Sequence, residues 1–212
     1  MKVGTDGTLL GAWAHGGQRI LDIGTGTGLI ALMMAQRYET ANVTGIEIDA
    51  DACRQASENV CASPFAERVE IVEKDICQFR RPHVYDAIVS NPPYFDRSLE
   101  CPDGQRTMAR HTSSLSYRNL MESAWRLLDE AGELSVVIPS ECKSQLESEA
   151  LLAGFFKWRE CSVKTTPRKP ARRFLMAFGK HAASVEYGEG VIETKPGVRS
   201  EWYVELTKDF YL

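Results

Sequence analysis

No apolar run in this chain of 212 residues approaches the ~18 that a membrane-spanning helix needs. The start, Met1-Lys2-Val3-Gly4, also lacks the apolar core of a signal peptide. A soluble, cytoplasmic protein is therefore expected. Metal-ligand spacing is missing too. The six cysteines, at 53, 61, 77, 101, 142 and 161, include no Cys-x-x-Cys pair, so they read as reduced, mostly buried thiols, and neither zinc nor disulfides are expected. There is no excess of basic residues: the formal net charge of −4 argues against a surface coated for non-specific nucleic-acid binding, although a local basic patch is compatible with it. Internal repeats and low-complexity tracts are absent. What is present, 43% apolar residues, is enough for one full-size core, and one domain spanning residues 1–212 is expected.

Short apolar runs alternate with helical segments along most of the length, the signature of a parallel sheet covered on both faces. Strands are expected at Arg19 to Ile23, Val43 to Ile48, Val69 to Glu73, Tyr85 to Ser90 and Glu133 to Ile138. Helices are expected at Leu29 to Arg37, after Asp49, after Ser116, and up to about Ala153, with Asp49 and Ser116 as caps. Lys157 to Thr165 and Arg172 to Phe178 read as an antiparallel hairpin closing the sheet. Residues 181–200, rich in Gly, Glu and small polar types, read as loop.

Asn91-Pro92-Pro93-Tyr94 follows the fourth strand. Pro92 keeps Asn91 out of helical conformations and both prolines fix their own φ, so the carbonyls there point in set directions with no neighbouring N–H. The Asn91 side-chain oxygen and the Pro92 carbonyl are acceptors for the two N–H bonds of an amino group, and Tyr94 offers a face on which a flat base can stack. Phe95 adds a second ring. By itself the tetrapeptide also matches an ordinary proline-rich turn.

Asp22-Ile23-Gly24-Thr25-Gly26-Thr27-Gly28 joins the first strand to the first apolar helix, where open α/β sheets bind ligands. Glu47, about 20 residues on, sits where a ribose-binding acid belongs. A dinucleotide site would need its third glycine at Leu29, whereas the chain places it at Gly28. Asp22 just ahead of the turn would repel a pyrophosphate and favour the cationic ammonium or sulfonium end of S-adenosylmethionine. Asp75, after the third strand, is placed to accept from that donor's adenine amino group, with Ile76 against the ring; a helix cap is the alternative reading of Asp75.

Asp22 to Gly28, Glu47, Asp75 and Asn91 to Tyr94, each at the end of a successive strand, resemble the ordered motifs of class I S-adenosylmethionine-dependent methyltransferases. The resemblance implies a three-layer Rossmann-like α/β fold with a mainly parallel seven-stranded sheet and an antiparallel carboxy-terminal hairpin. Lys2 to Gly11, Arg110-His111, Leu115-Ser116 and Leu206 to Leu212 are similar to the bacterial tRNA1(Val) adenine N6-methyltransferase family, over nearly the whole chain. That resemblance implies methylation of the adenine immediately 3′ of the anticodon, position 37. It also implies a further stretch ahead of Lys2, so a short amino-terminal segment is expected to be missing.

On this reading Asn91 and Pro92 orient the adenine amino group and Tyr94 stacks on the extruded base. The resemblance implies that Thr5 and Asp6 close over the donor; from sequence alone they read equally as a helix start. Lys164 to Arg173 is the one dense basic run, and Arg168, Lys169 and Arg172 are expected to hold tRNA phosphates, with a solvated loop as the alternative. The long connection from Pro92 to Leu115 carries Arg110 and His111 as further candidates for RNA contact. Three rivals stay open: a protein-glutamine N5-methyltransferase, an N-methyltransferase of other RNA or DNA, and a catalytically silent binding module.

Overall fold

The structure, a computed structural model, describes residues 4–81, 84–93 and 115–210. Helix α1 (Thr5–Trp13) precedes β1 (Arg19–Ile23), α2 (Leu29–Arg37), β2 (Asn42–Glu47), α3 (Ala50–Cys61), β3 (Val69–Glu73) and β4 (Tyr85–Ser90). Then come α4 (Tyr117–Leu127), β5 (Leu128–Pro139), α5 (Lys143–Leu152), β6 (Phe156–Lys164), β7 (Ala171–Gly179) and β8 (Glu186–Val191). A small hairpin, β9 (Glu193–Lys195) with β10 (Val198–Arg199), leads to α6 (Glu201–Thr207). The expected elements are therefore present with boundaries shifted by a residue or so, except that β5 begins at Leu128 rather than Glu133.

One sheet of eight strands, in the order β3-β2-β1-β4-β5-β7-β6-β8, runs through the molecule. The first five strands in that order are parallel to one another, β7 lies antiparallel between β5 and β6, and β8 pairs in parallel with β6. The sheet thus has one strand more than the expected seven, and residues 181–200 are not loop throughout. The signal for β8 is weak because Glu186, Gly188, Glu189 and Gly190 show no apolar alternation, and most of the strand is exposed. Its order comes from the backbone ladder with β6.

Burial on both faces explains the nearly continuous apolar strands. Leu21, Ile23, Ile46 and Ile88 pack under Leu120, Met121 and Leu127 of α4 and Leu146 of α5. Ile20, Val43, Ala87 and Val89 face Leu9 and Leu10 of α1, Ile30 and Met34 of α2, and Tyr203 of α6. Burying each large aliphatic side chain contributes roughly 1.5–3 kcal/mol. Gly132 shows what close packing demands locally. A Cβ there would stand 2.9 Å from the Asp86 carbonyl oxygen and 2.7 Å from Leu128, so residues 129–132 can loop out of β5 only with glycine at their end.

No helix among the described residues is long and apolar enough to cross a membrane. Cys53, Cys61, Cys77, Cys142 and Cys161 are free thiols; Cys101 lies outside the described residues.

Candidate functional site

Parallel strands bring the carboxyl ends of β1, β2, β3 and β4 to one edge, and the turn after β1 is built there by three glycines in the left-handed region. Gly24, Gly26 and Gly28 have φ of 71°, 57° and 82°, a conformation that costs a side-chain-bearing residue about 1 kcal/mol or more. Gly24 and Thr25 donate their backbone N–H groups to the Ile46 carbonyl at 2.8 and 3.0 Å, which ties the turn to β2. No heavy atom lies within 4 Å of where a Gly24 Cβ would stand, so the backbone is open to an approaching ligand.

Asp22 lies beneath this turn and is fully buried. Its Oδ2 accepts from Thr25 Oγ1 at 2.6 Å and from the Ala31 N–H at 3.1 Å, so one carboxylate oxygen joins the turn to the first residues of α2. Gly45 makes the room: a Cβ there would stand 2.9 Å from Thr25 Oγ1. Asp22 Oδ1 is buried with no hydrogen-bond partner. Burial pushes the Asp22 carboxyl up to about 7, against the lowering effect of its bonds to Thr25 and Ala31. Burial disfavours the charged form of this carboxyl, and a cation placed nearby would favour it.

Glu47 closes β2. Its Oε2 accepts from the Gly26 N–H at 2.9 Å, and Oε1 accepts from the N–H groups of Ile48 at 2.8 Å and Asp49 at 3.0 Å. A carboxylate offers about four acceptor positions, so one is left on Oε2 for a hydroxyl. Asp75 follows β3, and its Oδ1 accepts from the Cys77 N–H at 2.8 Å, capping the short turn Ile76–Gln78. The cap reading is therefore correct; the Cys77 thiol also bonds the Asp75 carboxylate, which keeps acceptor positions beyond these two bonds. Arg126 of α4 supports this turn from behind by donating to the carbonyls of Ile76 and Phe79. Ser90 completes the edge: its Oγ donates to the Ile23 carbonyl at 2.8 Å, fixing the end of β4 against β1 just before Asn91.

These elements surround a cleft of about 550 Å³, bordered by Gly24, Gly26, Glu47, Asp75, Ile76 and Pro93 among others, a size usual for small-molecule sites. A second hollow of about 490 Å³ lies at the opposite ends of the strands. It gathers none of the expected residues, and two of its arginines are committed: Arg68 to the carbonyls of Ala35, Tyr38 and Ala41, Arg19 to Asp86.

The model of the methyltransferase small domain family matches residues 8–167. A protein of Phocaeicola vulgatus named tRNA1(Val) (adenine(37)-N6)-methyltransferase is 47% identical over 214 residues, covering 100% of this chain and 91% of that protein. A Tolumonas auensis protein of the same name is 42% identical, covering 100% and 90%. The chain belongs to this methyltransferase family. Solved structures share its fold at lower identity. The crystal structure of a predicted O-methyltransferase, Atu636, from Agrobacterium tumefaciens superposes with a TM-score of 0.76 at 19% identity, covering 96% of each chain. That of P. horikoshii TYW2 in complex with MeSAdo gives 0.60 at 15% identity, covering 85% of this chain and 65% of that one.

Within this methyltransferase, the expected site residues do not all meet at one place. Gly24, Gly26, Glu47 and Asp75 border the cleft, Asp22 and Gly28 lie behind it, and Asn91 and Pro92 lead to Pro93 at its margin. Thr5 and Asp6 begin α1 and do not border the cleft; Asp6 is ion-paired with Arg173 at the start of β7. Tyr94, Phe95, Arg110 and His111 lie outside the described residues. Arg168 and Lys169 are exposed in the β6–β7 connection and Arg172 is exposed at the start of β7. That connection stands at the same sheet edge as Asn91, since Pro139 at the end of β5 pairs with Arg173.

Lys74, Cys77, Leu115 and Asn119 also border the cleft. Asn119 carries no sequence signal of its own, because only the packing of α4 against the sheet brings the first turn of that helix to the cleft.

Proposed function

We propose that the protein transfers a methyl group from S-adenosylmethionine to N6 of adenine 37 in tRNA1(Val), with residues 1–212 acting as one methyltransferase domain. The observation that carries this reading is the single edge where the Asp22–Gly28 turn, Glu47 and Asp75 border a cleft whose margin is the Asn91–Pro93 segment. The family relationship supplies the substrate, since the relatives bear that activity in their names.

S-adenosylmethionine supplies an activated methyl group when bound. The residues present fit it: Glu47 has an acceptor position for a ribose hydroxyl, the Asp75 carboxylate can accept from an adenine amino group beside apolar Ile76, and Gly24 leaves the backbone open. The buried Asp22 holds Thr25 and Ala31 in place, and a cation bound in front of the turn would favour its ionised form. Thr5 and Asp6, which lie outside the cleft with Asp6 paired to Arg173, would close over the donor only by a shift of the start of α1.

An adenine amino group is a poor nucleophile because its lone pair is delocalised into the ring. Asn91 Oδ1 and the Pro92 carbonyl accept its two N–H bonds, drawing nitrogen toward a tetrahedral shape and aiming the lone pair at the methyl carbon. As nitrogen takes the methyl carbon, that carbon's bond to sulfur would break with its electron pair left on sulfur as a neutral thioether, and the extra proton would leave the strongly acidic methylated nitrogen to water, so no histidine base is required. Tyr94 stacks on the extruded base, with Phe95 beside it. Arg168, Lys169 and Arg172 hold phosphates, and Arg110 and His111 add contacts from the connection after Pro93.

The test is methyl transfer from labelled donor to unmodified tRNA1(Val) transcript, compared with a transcript carrying G at position 37. Label only in the adenine transcript, recovered as N6-methyladenosine, is the expected result. Equal labelling of both transcripts would remove the site assignment; donor binding with no label in either would remove the substrate and favour a protein-glutamine acceptor.

A further inference from the structure

Strand β8 ends at Val191, which pairs with Lys164 at the end of β6, so it reaches the same edge of the sheet as Asn91 and the basic β6–β7 connection. The chain then stays bonded to that connection. The N–H of Ile192 donates to the Lys164 carbonyl and the N–H of Glu193 to the Thr165 carbonyl, both at 2.9 Å. The β9–β10 hairpin starts from this anchor, and its other end is fixed by the Ser200 N–H bonded to the Ile192 carbonyl at 3.0 Å.

The hairpin turns sharply. Lys195 pairs with Val198 across a two-residue Pro196-Gly197 turn, and Gly197 has φ 79°, which fits proline followed by glycine at the centre of a type II turn. Residues 194–199 are all exposed. No carboxylate pairs with Lys195 among the described residues, and none pairs with Arg168, Lys169 or Arg172. The other cations there are engaged: Lys164 with Glu189, Arg173 with Asp6, and Arg199 with Glu193 while it stacks over Tyr203. Four exposed cations with no acid partner among the described residues thus stand on two segments bonded to each other.

We infer that the β9–β10 hairpin is a second contact for the RNA backbone, with Lys195 as its phosphate-binding side chain. This inference rests on the proposed tRNA substrate. Strands β4 and β8 are four places apart in the sheet, which at ~4.8 Å per strand puts the hairpin's anchor roughly 19 Å from the end of β4. At that distance Lys195 meets phosphates away from the target adenine, so it contributes to affinity and placement rather than to the chemical step. A turn already ordered before binding adds little entropic cost to that contact.

The experiment measures binding of unmodified tRNA1(Val) transcript across a salt series, with the full-length wild type, Lys195→Ala and Lys195→Arg, and tRNA methylation by each. For Lys195→Ala we expect about fivefold weaker binding near ~0.1 M salt and a logarithmic salt slope shallower by about 0.7–0.9. The defect should fall on KM for tRNA rather than on kcat, and Lys195→Arg should restore the slope. If the wild type methylates tRNA while Lys195→Ala keeps both its affinity and its slope, the hairpin contact is wrong and the substrate reading stands. If the wild type neither binds nor methylates tRNA, the substrate reading fails and the inference fails with it.

Discussion

Replacing Asp22 by asparagine should remove a pH dependence from the stability of this protein, and the structure sets both its window and its sign. The carboxyl is fully buried and is pushed from its ordinary 3.8 up to about 7, chiefly by burial. The folded protein therefore holds this proton more tightly than the unfolded chain. Below about pH 4 the group is protonated in both states and contributes nothing to the dependence. Between about pH 4 and pH 7 the unfolded chain has lost the proton and the folded protein has not, so stability falls by about 1.4 kcal/mol per pH unit. Above about pH 7 both states are ionised, and the whole difference, about 4 kcal/mol at most, stands as a cost of burying the charge. The asparagine side chain would keep the size and one acceptor oxygen for Thr25 and Ala31 but carries no proton to exchange. Urea unfolding followed by tryptophan fluorescence, for wild type and Asp22→Asn from about pH 5 to pH 8, reads the difference directly, because every other titrating group is shared and cancels. The variant should gain on the wild type as pH rises toward 7, with the gap constant above it. Parallel stability curves across this range would show that Asp22 titrates as an ordinary carboxylate and would refute the burial argument.

Asn91→Ala should lower kcat for tRNA methylation by about 100-fold or more, the scale on which a lost hydrogen-bonding group at the reacting centre acts, with donor affinity retained by equilibrium dialysis. Near-normal turnover with normal donor binding would remove Asn91 from the chemistry. Reversing Arg168 and Lys169 to glutamate should weaken tRNA binding and reduce its salt slope by at least about 0.7–0.9 for each cation removed; an unchanged slope would return this segment to an ordinary solvated loop.

The site owes its shape to residues that a ligand would never touch. Ser90 and the Ile46 carbonyl hold three strand ends level, and Arg126 of α4 supports the turn after β3. Neutral backbone hydrogen bonds contribute about 0.5–1.5 kcal/mol each, and those to charged groups about twice that. Their larger effect is positional, because small misplacements at a reacting centre are expensive.

Much of this protein was legible in its sequence, because the decisive signals were local. The mostly apolar strands β1 and β4 announced a sheet buried on both faces, Asp49 and Ser116 marked helix starts where their side chains do cap the backbone, and the glycines after Asp22 occupy left-handed turns that a side chain would strain. Glu47, Asp75 and Asn91 could be placed together because parallel strands must all end at one edge. Tertiary structure alone decided the rest. The exposed, glycine-interrupted β8 has no apolar pattern and takes its order from the ladder with β6. The pairing of Asp6 with Arg173, 167 positions apart, and the arrival of Asn119 at the cleft depend on which helix packs over which strand. Lys195 joins the basic connection only because β8 runs parallel to β6. Local propensity acts through neighbours in the chain and so can be read from it; contacts between distant segments exist only once the sheet has chosen its order.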